Sequence, residues 1–178
     1  DYLGLNGDDV TWSYTVTGAN GKDRTLSLDG RIILNRIPNA EVKNRCEAWM
    51  LQIADSLELA TSIRQAITGV VFEVRQGYKS KDSKRQNADI ANAANAYANG
   101  YIPCLMVMSA QIDDDIVARY NVAKWTILQG YIDTSPLAST FTFFEQVIGF
   151  NFVQFMNDNQ EYFKERIQQV LERLMRAE

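Results

Sequence analysis

The sequence predicts an α/β domain with a mixed central sheet flanked by helices, an N-terminal β-hairpin and C-terminal helices. Three observations lead to this prediction. A strand, a helix and a second strand follow one another between residues 69 and 109, which is typical of a parallel sheet with a crossover helix. A β-branched and aromatic segment with a turn signal precedes them, and an amphipathic helical pattern ends the chain. The length of 178 residues fits one domain, divided into a hairpin (1–37), an α/β core (40–130) and a helical part (140–178).

The hairpin is predicted from alternation and turn residues. Residues 10–17 (VTWSYTVT) are rich in β-branched and aromatic side chains, and residues 18–21 (GANG) are a turn signal. Residues 25–37 (TLSLDGRIILNRI) contain the returning strand. Pro38 then breaks the pattern.

A long helix is predicted over residues 40–59, because apolar residues recur there every three to four positions. Its apolar face comprises Val42, Cys46, Trp49, Ile53 and Leu57. Residues 60–68 have an ambiguous pattern. Residues 69–78 (GVVFEVRQGY) then predict a strand, with Gly69 at its boundary.

The second half of the core completes the strand–helix–strand unit. Residues 83–99 predict a helix with Asp82 or Ser83 as its N-cap and Gly100 as its end. Small residues in the second half of that helix allow close packing against a sheet. Residues 101–109 (YIPCLMVMS) form the short apolar run expected of a strand buried on both faces.

The remaining predicted elements follow the strand–helix–strand unit. The pattern predicts a helix opening at residues 113–115, a strand over 124–129, a loop over 135–139, an aromatic helix over 141–155 and an amphipathic helix over 160–175.

The composition excludes several classes of chemistry. The chain has no histidine, so catalytic triads, Cys–His pairs and the usual zinc enzymes are excluded. Any chemistry must use carboxylates, Lys, Arg, Ser, Tyr or a hard metal ion. No apolar run reaches 18 residues, so no membrane-spanning helix is expected.

The two cysteines, Cys46 and Cys104, both lie in apolar patterns. We therefore expect buried, inert thiols in a reducing compartment, which predicts a cytoplasmic protein. No secretory signal is visible. The chain begins with Asp1 rather than with a methionine, which is typical of a fragment or a processed chain.

One segment has a charge opposite to that of the chain. The formal net charge is −4, yet residues 75–85 contain five cations and one acid. Local potential decides whether a phosphate backbone is attracted, so this segment favours nucleic-acid binding. The alternative is a solvated, basic helix start.

The strand over residues 69–78 contains the chemistry-bearing pair. Glu73 and Arg75 are two residues apart and therefore share one face of the strand. A carboxylate there can hold Mg²⁺, and a cation can stabilise an attacking water or the developing phosphate charge. The alternative is an ordinary cross-strand ion pair.

The segment 70–109, with Glu-Val-Arg, a Lys-rich turn, a helix and a buried strand, resembles the core of the PD-(D/E)xK nucleases, the superfamily of many type II restriction endonucleases. The resemblance implies a Mg²⁺-dependent endonuclease that hydrolyses phosphodiester bonds in double-stranded DNA. In that pattern Glu73 is the strand acid, and Arg75 stands where the family has Lys. Arg cannot give up its proton, so either Lys79 or Lys81 replaces it or the site is degenerate.

The resemblance also requires an upstream acid, and two residues qualify. Asp29 lies in a strand-like context, whereas Asp55 lies closer in sequence but on the long predicted helix. Strand context favours Asp29. Asp89 is a reserve metal ligand, since some branches of the family move the second acid onto the following helix. Glu41 and Glu47 are further candidates, and each of these acids singly also fits an ordinary surface carboxylate.

The resemblance places DNA contacts in the Lys-rich turn and the helix that follows. Lysine and arginine side chains contact phosphates, whereas Gln and Asn carry the paired donor and acceptor that read adenine. The candidate DNA-binding residues are Lys79, Lys81, Lys84, Arg85, Gln86 and Asn87.

The assembly expected from this reading is a homodimer, because cleavage at a symmetric site suits two-fold symmetry. The final helix resembles a bundle or dimer helix. Two rival interpretations stay open: a non-catalytic DNA-binding or assembly protein that keeps the nuclease-like fold, favoured by Arg75, and an α/β interaction domain whose basic stretch is only a solvated face.

Overall fold

The computed structural model describes residues 2–17, 20–77 and 83–176. The strands are β1 (Trp12–Thr17), β2 (Asp23–Leu28), β3 (Gly30–Ile33), β4 (Gly69–Arg75), β5 (Tyr101–Val107) and β6 (Thr126–Leu128). The α-helices are α1 (Gly7–Val10), α2 (Ala40–Ser56), α3 (Thr61–Ala66), α4 (Ser83–Ala98), α5 (Asp114–Val122), α6 (Thr140–Thr142), α7 (Phe152–Asp158) and α8 (Gln160–Met175). A short 3-10 helix (Leu34–Arg36) and a π-helical turn (Phe143–Ile148) complete the described elements.

The central sheet has four strands in the order β3-β4-β5-β6. β3 is antiparallel to β4, whereas β4, β5 and β6 are parallel. The predicted α/β class and the parallel strand–helix–strand unit, formed by β4, α4 and β5, are therefore confirmed. β5 is buried along nearly its whole length, as its apolar sequence predicts.

The N-terminal hairpin is confirmed, but its second strand is shorter than predicted. β1 and β2 pair in register from Trp12 opposite Leu28 to Thr17 opposite Asp23. The segment predicted to contain one returning strand divides at Asp29 into β2 and β3, which belong to different sheets. The side chain of Asp29 accepts a hydrogen bond from the backbone N–H of Val74 at 2.7 Å, which holds the chain beside β4 where the division occurs.

Helix α2 begins and packs as predicted. The side chain of Asn39 accepts hydrogen bonds from the backbone N–H groups of Glu41 and Val42, which caps the helix. The residues of the predicted apolar face from Val42 to Ile53 are buried. The segment with the ambiguous pattern contains the short helix α3.

Two apolar clusters lie on opposite faces of the sheet. One includes Val70 and Phe72 of β4 with residues of α2, and the other includes Val71 of β4 with residues of α4 and α5. Alternation along β4 explains the division, since successive strand residues point to opposite faces. The small residues Ala93 and Ala96 of α4 are buried in the second cluster, which allows the predicted close packing.

The three tryptophans are shared between these clusters. Trp49 of α2 is buried in the first, and its indole Nε1–H donates a 2.8 Å hydrogen bond to the carbonyl of Pro136. Trp12 and Trp125 are buried in the second. The indole Nε1 of Trp125 is buried with no hydrogen-bond partner among the described residues.

The hairpin packs on the face of the sheet that α4 and α5 cover. Trp12 and Leu28 belong to the cluster beneath α4 and α5, and the Tyr14 hydroxyl donates a hydrogen bond to the side-chain oxygen of Asn92 on α4. The hairpin therefore helps to position α4.

The predicted aromatic helix over residues 141–155 is wrong as a single helix. The chain forms α6, the π-helical turn and, after a break, α7. Gly149 ends the turn with a φ of +83°, a conformation that favours glycine, and the Asn151 side chain caps α7 by accepting from the backbone N–H of Gln154.

Helix α8 has the predicted bounds, and none of its residues is buried. Across the described parts of the chain, the helices are too short or too polar for any of them to span a membrane. Cys46 and Cys104 are both buried, as predicted.

Candidate functional site

The candidate site lies at the end of β4, beside β5. These strands run parallel, with Glu73 opposite Leu105 and Arg75 opposite Val107. Because alternate residues share a face, Glu73 and Arg75 point to the same side as Val71, which packs beneath α4 and α5. The prediction that Glu73 and Arg75 share a strand face is therefore confirmed.

Arg75 lies between two carboxylates. Its Nη2 atom is 2.7 Å from Oε1 of Glu73 and 3.3 Å from both carboxylate oxygens of Asp89. The side chains of Arg75, Glu73 and Asp89 are only 10%, 14% and 5% exposed. Because two carboxylates share one guanidinium, removing Arg75 would leave both carboxylates without this cation, at a cost of about 3–5 kcal/mol.

Helix α5 adds a tyrosine to this group. Tyr120 is fully buried, and its hydroxyl donates a hydrogen bond to Oδ2 of Asp89. The ring of Tyr120 packs against that of Trp125 with centroids 5.6 Å apart. Asp89 is thus held from two sides, by Arg75 of β4 and by Tyr120 of α5. We call these four residues, Glu73, Arg75, Asp89 and Tyr120, the acidic cluster.

The carboxylate oxygens of the acidic cluster can be compared with the ligands that Mg²⁺ takes in proteins. Within residues 2–17, 20–77 and 83–176, no group of three or more Asp, Glu or Cys side chains is placed to hold a metal ion. However, Mg²⁺ in proteins is commonly held by one or two carboxylates, with water and substrate phosphates completing its shell. Glu73 and Asp89 meet the same guanidinium nitrogen, so their oxygens converge on one positive centre. Both are hard oxygen donors of the kind that Mg²⁺ takes, and in this structure the Arg75 guanidinium lies between them.

Asp29, the favoured upstream acid, contacts the backbone of β4. It is exposed, and its carboxylate accepts the hydrogen bond from the backbone N–H of Val74. The structure thus brings Asp29 beside the strand that carries Glu73, where it satisfies a backbone group at the end of the β3–β4 pairing.

Asp55, the alternative upstream acid, is not brought to the acidic cluster. It lies on α2, which packs on the opposite face of the sheet, and it forms an ion pair with Arg64. Glu41 and Glu47 are exposed on the same helix. The sequence could not separate these acids from Asp89, because the face of the sheet that each helix covers is decided by tertiary packing.

Most of the predicted DNA-binding side chains lie outside the described part of the chain. Lys79 and Lys81 lie outside the described residues, and so do the side chains of Lys84, Arg85 and Gln86, although the backbone of those three is in α4. Asn87 is exposed, and its side-chain oxygen accepts a 3.2 Å hydrogen bond from Arg119 of α5.

Sequence reasoning missed Tyr120 and Arg119 as neighbours of the site. Tyr120 follows Ile116 by four positions on a short helix, a spacing that by itself indicates only an apolar face. A fully buried tyrosine needs a partner for its hydroxyl, and this need is the signal that could have drawn attention to it.

Comparisons with protein-family models, with curated proteins and with solved structures find no match to this chain.

Proposed function

We propose that the protein is a Mg²⁺-dependent DNA endonuclease of the restriction type. The observation that supports this proposal most is the convergence of Glu73 and Asp89 on one cationic nitrogen. These carboxylates come from a strand and from the helix that follows it, and they meet at the end of β4. The basic segment 79–85 follows directly in the sequence.

The residues of the acidic cluster take distinct roles in this proposal. Glu73 and Asp89 hold the metal ion, and Mg²⁺ there would polarise the scissile phosphate and lower the pKa of a bound water. An arginine side chain does not serve as a general base, so the proposed role of Arg75 is to stabilise phosphate charge. Lys79 remains the alternative catalytic cation.

Duplex DNA is the proposed substrate, held by the segment that leads into α4. Lys79, Lys81, Lys84 and Arg85 would contact phosphates, and the backbone N–H groups at the start of α4 would add to that attraction. Gln86 and Asn87 would read base edges.

A non-catalytic DNA-binding or assembly protein is the second candidate. Arg75 favours it, because its guanidinium already forms ion pairs with both carboxylates that the metal ion would need. In that case the ion pairs are structural, and the protein binds duplex DNA without cutting it.

Nicking of supercoiled plasmid DNA with and without Mg²⁺ separates the two candidates. The wild-type protein should cut only with Mg²⁺, and Glu73→Gln and Asp89→Asn should each reduce the rate by at least about 100-fold. Glu73→Gln should bind duplex DNA in Ca²⁺ as well as the wild type or better, because a carboxylate near phosphates repels them when no metal ion is bound.

Glu165→Gln is the matched control, since Glu165 is an exposed acid on α8. Its cutting should equal that of the wild type. Duplex binding by wild-type protein that cuts nothing in Mg²⁺ would contradict the nuclease and favour the second candidate. Full cutting by Glu73→Gln would remove Glu73 from the mechanism.

A further inference from the structure

Helix α8 carries a continuous apolar stripe that is open to solvent. Ile167, Val170 and Leu174 are 61%, 55% and 65% exposed, and Leu171 beside them is 53% exposed. Among the described residues, no helix or strand packs along the length of α8. Apolar patches of this kind on a folded protein mark an interaction site.

The spacing of the stripe fits a partner helix. Phe163, Ile167, Val170 and Leu174 follow one another at intervals of four, three and four residues. This spacing matches the a/d pattern of a two-helix coiled coil over about two heptads, with Ile167 and Leu174 at a positions and Phe163 and Val170 at d positions. A stripe of this width is covered by one helix laid alongside it.

Between two copies of this helix, the residues beside the seam favour the parallel direction. In the same register, Arg166 and Arg173 occupy g positions, and Leu171 occupies an e position. A parallel pair places Arg166 against Leu171 of the other copy, where the arginine stem covers the leucine. An antiparallel pair would instead place arginines of the two copies opposite each other, which is repulsive.

A lipid surface fits the helix less well. Its acids, Glu161, Glu165 and Glu172, equal in number its cations, Lys164, Arg166 and Arg173. Helices that lie on membranes carry an excess of Lys and Arg on the polar face.

We propose that α8 is a self-association helix, and that two copies of this chain pair through it in parallel about a two-fold axis. The same stripe then covers itself, as an isologous interface requires. The inference does not rest on the nuclease proposal, because self-association is measured without DNA.

The oligomeric state of the full chain tests this proposal, by sedimentation equilibrium from 1 to 100 µM. The wild-type mass should approach twice 20.2 kDa. Val170→Glu together with Leu174→Glu should raise the dissociation constant of the dimer at least about 100-fold, because it places charges in the seam. Neither residue is buried, so this variant should keep its circular dichroism spectrum.

Val122→Glu is the matched control, since Val122 is an isolated apolar residue on α5 that is 85% exposed. Its dissociation constant should equal that of the wild type. A monomeric wild type, or a dimer that survives the α8 variant, would overturn the proposal. A monomer that co-sediments with phosphatidylglycerol vesicles would assign the stripe to a lipid surface and would overturn it as well.

Cross-linking tests the parallel direction. Both native cysteines are buried, so a cysteine introduced by Leu174→Cys or Gln160→Cys is the reactive one. In a parallel pair, each variant alone should form a disulfide dimer on oxidation, when two thiols lose two protons and two electrons to the oxidant. In an antiparallel pair these positions lie about 21 Å apart. Absence of the disulfide in both single variants would therefore overturn the parallel arrangement.

Discussion

At the scale of single residues, Asp89 is the most constrained member of the acidic cluster. Its carboxylate meets Arg75 on one side and the Tyr120 hydroxyl on the other, and its side chain is 5% exposed. A metal-binding carboxylate works best when outer-shell hydrogen bonds fix its orientation. In the proposed nuclease, Tyr120 would be the positioning residue that orients the Asp89 carboxylate.

Tyr120→Phe removes that hydroxyl and little else. We expect the Mg²⁺ concentration for half-maximal cleavage to rise about tenfold or more, since hydrogen bonds to charged groups are worth about 1.5–3 kcal/mol. The measurement is single-turnover cleavage across a Mg²⁺ titration. Tyr97→Phe is the control, because the Tyr97 hydroxyl donates to the carbonyl of Lys124, away from the cluster. An unchanged Mg²⁺ response in Tyr120→Phe would contradict the positioning role.

Arg75 can be tested by changing its charge and its shape separately. Arg75→Lys restores the residue that the nuclease pattern expects and should retain or increase cleavage. Arg75→Ala should lower the rate by at least about 100-fold, the usual scale for removing a group that stabilises transition-state charge. The measurement is the same plasmid assay. If Arg75→Ala changes the cleavage rate little and Lys79→Ala lowers it strongly, Lys79 is the catalytic cation. An unchanged cleavage rate in both variants would contradict the nuclease proposal.

At the scale of elements, local patterns predicted some boundaries and missed others. The helices α2 and α8 carry strong periodic signals in their own residues, and the parallel strands β4 and β5 carry β-branched, aromatic or continuously apolar runs. The division at Asp29 was missed because its cause, the hydrogen bond to the N–H of Val74, lies 45 residues away. The break at Gly149 was missed because aromatic residues continue on both sides of it. The partnership of Asp89 with Arg75 and Tyr120 likewise needs three elements to meet.

Substitutions in the segment that joins β4 to α4 and in the start of α4 test the proposed DNA binding. Replacing Lys81 and Lys84 by Ala should lower the log–log salt dependence of duplex binding by about one to two units, because each phosphate contact contributes close to one unit. Gln86→Ala and Asn87→Ala should keep that slope and reduce discrimination between sites, since base contacts specify and phosphate contacts position. Fluorescence anisotropy at several salt concentrations measures both. No measurable duplex binding near physiological salt would overturn the nucleic-acid proposal.

At the scale of the whole molecule, one sheet with apolar clusters on both faces should make folding cooperative. β4 and β5 contribute side chains to both clusters, so neither cluster can form without the sheet. The sequence predicted this layered arrangement, because β5 is apolar at nearly every position, as is typical of a strand buried on both faces. It did not predict which helix covers which face, since both α2 and α4 have an apolar side.

Ile53→Ala and Ile116→Ala test this coupling from opposite faces. Each isoleucine is 1% exposed, one in each cluster, so each change should cost about 2–5 kcal/mol. Urea unfolding followed by far-UV and near-UV circular dichroism should give one coincident transition in both variants. Two separated transitions would show that the faces unfold independently.

The distribution of the tryptophans gives each face of the sheet its own optical reporter. Trp49 is the indole of the α2 face, whereas Trp12 and Trp125 belong to the face covered by α4 and α5. These are the three tryptophans of the chain, and each is 5% exposed or less, so native emission should be blue-shifted and resistant to iodide quenching. Variants that keep a single indole would therefore report on the two faces separately, and the Trp125 signal would come from the side of the sheet that carries the acidic cluster.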